Sequence, residues 1–133
     1  MTMEEGQEKK FNSTLGKLIE ILDAELPSNA LVDTIKRRFK LSLISDKTLL
    51  ITEIGPEIYV YREEIHNNEW EKLIYTDWEN KANQSSKDSN SIHRIIKAMR
   101  MIWEKYDDQE KKKITKLIRI LLSEYAKFIC LNV

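Results

Sequence analysis

Glu63 and His66 are the residues whose types and spacing come nearest to chemistry in this 133-residue chain. Three apart, they fall on one face of a helix, the arrangement by which di-iron bundles present ligands. Such a centre takes two Glu-x-x-His pairs and further carboxylates from partner helices, whereas this chain has one copy of the pair and only two histidines. The pair reads as a solvent-facing acidic helix with an incidental histidine, and His93 reads as a surface group on the polar side of a later helix. Cys130, within Phe128-Ile129-Cys130-Leu131, has only Lys127 nearby to lower its pKa, so it reads as a small apolar residue rather than a nucleophile. Gly6, Gly16 and Gly55 are too scattered to form a phosphate-cradling loop or a dinucleotide fingerprint. No catalytic residue, metal ligand or cofactor is expected, and the chain reads as a non-enzymatic protein.

Charge is more informative. Lys plus Arg and Asp plus Glu number 22 each, so the whole chain is neutral, which argues against a general DNA-condensing role. The signs are nevertheless segregated: residues 53–79 carry two bases and eight acids, and residues 80–133 carry twelve bases and six acids. Two compact basic runs stand out, Lys36-Arg37-Arg38-Phe39-Lys40 and Lys111-Lys112-Lys113 followed by Lys116 and Arg119. Cations at the end of a helix complement its dipole, and the long stems of the first run can cover the edge of a core. Lys111, Lys112 and Lys113 come at the start of a helix, where the dipole disfavours them. Local helix physics leaves them without a role, which points to an external anion.

Two uses of this charge are open. The leading one is a helical interaction or assembly protein that self-associates through its acidic middle, with Glu63 and Glu64, and its basic end; contacts between unlike faces build rings or filaments. Trp70 and Trp78, set in a thinly apolar acidic segment, are expected at that interface, because large amphipathic side chains anchor interfaces. Trp103 is expected in the core. The alternative is a nucleic-acid-binding module that neutralises phosphates with both basic runs, at 36–40 and 111–119.

The elements that must position these residues are helices. Three Gly and two Pro in the whole chain fall far below average usage of about 7% and about 5%. Residues 1–10 are polar and without period, the pattern of a mobile tail. Leu15, Leu18, Ile19, Leu22 and Leu26 then mark one helical stripe, with Asn12 or Ser13 as N-cap. Pro27 ends it, Ser28 or Asn29 caps the next helix, and Leu31, Ile35 and Phe39 line that helix as far as Leu41–Ser45. Residues 46–54 read as an irregular connector or short helix. Gly55-Pro56 is read as punctuation, with Pro56 opening a helix that Asn67-Asn68 closes. A short helix over Glu69–Asp77 precedes a polar, mobile loop at 80–90. Ile92, Ile95, Ile96, Met99, Ile102, Trp103 and Tyr106 line the penultimate helix, Asp107-Asp108 makes a turn, and Ile114 to Ile129 line the last, so an antiparallel helical hairpin is expected at the end. The expectation is an all-α fold with a single compact domain over 11–133, of five or six helices. No apolar run is long enough to cross a membrane. The lone cysteine and the absence of a signal-peptide pattern favour a reducing, intracellular setting.

Pro27-Ser28-Asn29-Ala30-Leu31, then Ile35 and Phe39, then Gly55-Pro56 leading to Tyr61-Arg62-Glu63-Glu64-Ile65, resembles short helical proteins encoded by giant DNA viruses of the mimivirus-like group. The resemblance covers residues 15–78. It implies a viral protein of the infected cytoplasm or the virion, and it carries no catalytic residue over to this chain.

Overall fold

The computed structural model describes residues 3–75 and 91–131, which fold into seven helices and no strand. These are α1 (Met3–Glu25), α2 (Ala30–Ser45), α3 (Leu49–Tyr59), α4 (Arg62–His66), α5 (Trp70–Tyr75), α6 (Ser91–Trp103) and α7 (Asp108–Leu131). The all-α class holds, with seven helices among the described residues where the periodicity suggests five or six. The polar loop at 80–90 and Trp78 lie outside the described residues.

Several helix boundaries follow from local chemistry. Asn29, in extended backbone, accepts from the N–H groups of Leu31 and Val32 at 2.9 and 3.2 Å and so caps α2. Asp107 and Glu110 form a reciprocal capping box at the start of α7. The Asp107 Oδ1 accepts from the Glu110 N–H at 2.8 Å, and the Glu110 Oε1 accepts from the Asp107 N–H at 3.1 Å.

Other boundaries differ from expectation. Helix α1 begins at Met3 rather than near Ser13, and Gln7, Glu8, Asn12 and Thr14 are buried on it, so the segment at 3–10 is helix and not tail. Residues 49–54 belong to a full helix that runs through Gly55 and Pro56. Pro56 is on the exposed side of α3, where its missing N–H and its ring face solvent. Gly55 answers a packing demand: a Cβ there would overlap the ring of Tyr125 on α7. Its lack of a side chain permits the α3–α7 crossing.

The core gathers Leu15, Leu18 and Leu22 from α1, Ile51 and Ile58 from α3, Ile95, Met99 and Ile102 from α6, and Ile114 and Leu121 from α7, all fully buried. The longest seam is α1 against α7. It is antiparallel, since Ile21, Ala24 and Glu25 at the end of α1 share a notch with Tyr106, just before α7, and with Glu110 and Ile114 near its start. The last two helices do follow one another through a short turn, but α7 finds its chief partners in α1 and α3, while α6 packs on α2, α3 and α5.

The short helices α4 and α5 are too brief to be stable alone. Arginines from the long helices add a donor to carbonyls near their C-terminal ends: Arg119 on α7 donates to the Ile65 carbonyl at 3.4 Å, and Arg100 on α6 donates to the Ile74 carbonyl at 2.8 Å. In the same manner the Glu57 carboxylate of α3 accepts from the Ile92 N–H at the start of α6, at 2.9 Å. Among the described residues no helix is long and apolar enough to cross a membrane.

Candidate functional site

The basic run of α7 is built into a concavity. Asn68, Trp70 and Glu71, from the α4–α5 turn and the start of α5, face Lys111, Lys112, Thr115, Lys116 and Arg119 of α7 across a cleft of about 660 Å³, with Trp103 and Asp108 at its end. The α4–α5 turn is held by Asn68, whose φ of 60° puts it in the left-handed region that asparagine tolerates better than most residues. Its side-chain carbonyl accepts from the Trp70 indole N–H at 3.4 Å.

Two indoles form the inner wall, each with a cation over its ring. The Arg119 guanidinium lies 5.6 Å from the Trp70 ring centroid and the Lys111 ammonium 4.9 Å from that of Trp103. Both are cation–π distances, and such contacts are worth about 0.5–2 kcal/mol according to how far water is excluded. Trp70 is only 8% exposed and Trp103 only 3%. Trp70 therefore does not stand out as a free interface anchor, as the sequence suggests; the guanidinium that covers it comes from 49 positions further along the chain. Trp103 is in the core as expected, and its indole nitrogen is buried without a hydrogen-bond partner.

Lys112, Lys116 and Arg119 are exposed on this wall. None of the cleft's four cations has a carboxylate within ion-pair distance among the described residues, although Glu71 and Asp108 line the same space. Lys113 points away from this cleft and lines the α1–α7 notch with Glu25 and Tyr106, where burial, with the Glu25 carboxylate next, pushes the Tyr106 phenol up to about 12.

The other basic run has a different setting. Lys36 is 3.1 Å from Asp23 of α1 and is thereby spent inside the molecule. Arg38 borders a narrow space with Glu53 and Arg94, while Arg37 and Lys40 are exposed on the outer side of α2. Those outer cations run directly into Leu41 and Ile44, which are 63% and 82% exposed. The two runs line different depressions and share no wall.

The acidic middle is partly structural. Glu63 and His66 are exposed and Glu64 is half-buried, with one carboxylate oxygen enclosed and without a hydrogen-bond partner. Among the described residues no group of three or more His, Cys, Asp or Glu is gathered in a way that could hold a metal ion. His93 is not a free surface group. Its Nε2 is 2.8 Å from the Tyr61 hydroxyl, whose pKa burial pushes up to about 12, with Glu64 and then Glu57 adding to the effect. Cys130, expected among apolar neighbours, is exposed.

No protein-family model, curated protein or solved structure matches the chain.

Proposed function

We propose that this chain is a non-enzymatic helical interaction protein that receives an anionic macromolecule in the cleft along α7. The observation that carries the reading is the convergence of Lys111, Lys112, Lys116 and Arg119 on one concavity with no ion pair of their own among the described residues. An entering anion displaces no existing carboxylate, and the nearby start of α7 adds to the positive potential. The resemblance over residues 15–78 supports a setting in the infected cytoplasm or the virion.

Retention on immobilised heparin, used as a generic polyanion, tests this reading. The exposed pair Lys112→Glu and Lys116→Glu should elute at clearly lower salt than the unmodified protein, while Arg37→Glu with Lys40→Glu should elute close to it. Equal losses from both pairs would mean diffuse attraction and would contradict a cleft.

A second reading, self-association, is favoured by one feature: Leu41 and Ile44 present apolar surface beside Arg37 and Lys40. Light scattering over a concentration series decides it. A mass that grows with concentration, and stops growing in Leu41→Ser with Ile44→Ser, supports self-association; a constant monomer mass removes it.

A further inference from the structure

Resting on the reading of the α7 cleft as an anion site, we infer that its occupant is a single strand of nucleic acid, whose phosphates follow the row Lys112, Lys116 and Arg119 and whose bases enter between α7 and the α4–α5 turn.

Three features favour a strand over an acidic protein segment or a duplex. Positions 112, 116 and 119 recur at i, i+4 and i+7, so they form a row along the helix with rises of about 6 and about 4.5 Å between successive cations. A row suits a linear array of charges better than one compact anion. Next, Arg119 is an exposed residue lining the cleft, with its guanidinium plane backed by the Trp70 ring and tied to the Ile65 carbonyl. Unstacked bases pack on arginine planes as well as on aromatic rings, and the buried indole holds this one in place. Finally, the cleft also contains Glu71, Asp108, Thr115 and Asn68. Carboxylates repel an acidic peptide, yet they accept hydrogen bonds from the exocyclic amino groups of bases, and the hydroxyl and amide can pair with base edges or sugars.

A duplex keeps its bases stacked and presents its phosphates outward, so it would touch only the lysine rim. An open cleft of about 660 Å³ has room for one or two splayed nucleotides. The site makes few base-edge contacts, so binding should be largely indifferent to sequence and strongly dependent on salt.

Fluorescence anisotropy with labelled 12-nucleotide DNA and RNA strands of mixed sequence containing A and C, a hairpin duplex and a glutamate-rich peptide tests the assignment. Either single strand should bind at least tenfold more tightly than the duplex or the peptide, and the tighter of the two names the source. Three phosphate contacts give a slope of log affinity against log salt of about −2, and Lys112→Gln with Lys116→Gln should bring it to about −0.7. Arg119→Lys retains the charge but not the planar surface, so it should weaken binding severalfold with little change in slope. Duplex or peptide binding as tight as the strands overturns the assignment. Strands that fail to bind while heparin retention still depends on Lys112 and Lys116 overturn it and leave the anion cleft standing. Loss of that heparin dependence as well would remove both.

Discussion

The two basic runs have similar composition and opposite situations. On α2, Lys36 is tied to Asp23, Arg38 borders Glu53, and Arg37 and Lys40 project from a convex helix face that continues into exposed aliphatics. On α7, four cations converge on a concave wall, two of them held over buried indoles, and none is paired with a carboxylate among the described residues. The difference shows that a count of lysines and arginines measures long-range attraction, whereas a site needs cations that are fixed, concave in arrangement and not paired with a carboxylate.

Perturbing the backing of the cleft should produce the largest effect. Trp70→Ala removes a buried wall and is expected to cost about 3–5 kcal/mol of stability, as large aromatic truncations do. Trp70→Phe retains a ring under Arg119 and should keep most of the heparin retention; urea denaturation paired with the retention assay checks both. A substitution at Gly55 should come next. Gly55→Ala drives a methyl group into the Tyr125 ring and should destabilise by about 1–3 kcal/mol, and Tyr125→Leu should recover part of the loss if the clash is the cause. At the small end is Lys36→Ala. Its ion pair with Asp23 is about one-third exposed, so its removal should cost under about 1 kcal/mol and leave heparin retention unchanged. A large loss of retention there would erase the contrast between the runs.

Glu57 supplies a comparison of sign rather than size. Burial raises its pKa from 4.5, with the Ile92 N–H opposing that rise. A carboxyl with a raised folded-state pKa stabilises the fold most when protonated, and that contribution is lost as pH climbs from about 4.5 through the raised value. Glu57→Gln retains an acceptor for Ile92 without a buried charge. Its melting temperature should therefore equal or exceed the unmodified protein's at neutral pH, with the gap narrowing toward pH 4; a gap that widens on acidification contradicts this account of the residue.

Much of the helical order is visible in the chain itself, because its causes are local. Asn29 caps two residues ahead of the α2 stripe, Asp107 and Glu110 are a capping box within four positions, and Trp103 follows the period of its helix into the core. The misreadings have distant causes. The start of α1 is hidden because Gln7, Glu8 and Asn12 are polar residues at buried positions and interrupt the apolar stripe. Gly55-Pro56 resembles punctuation, yet the glycine is set by a tyrosine 70 positions later. Trp70 and Arg119 belong to segments of opposite charge, and nothing in either segment shows that the guanidinium covers the indole. The lysines of α7 were recognisable as a cluster without a local role; their concave setting depends on the α4–α5 turn, where Asn68 in the left-handed region was the available sign.

Backbone amide NMR during titration with a short heparin fragment would test the central contrast most directly. Shift changes concentrated at Asn68–Glu71 and Lys111–Arg119, saturating together and leaving Arg37–Ile44 unmoved, are the expected result. Changes centred on Arg37–Ile44, or spread evenly over both basic runs, would contradict the assignment of the anion site to α7.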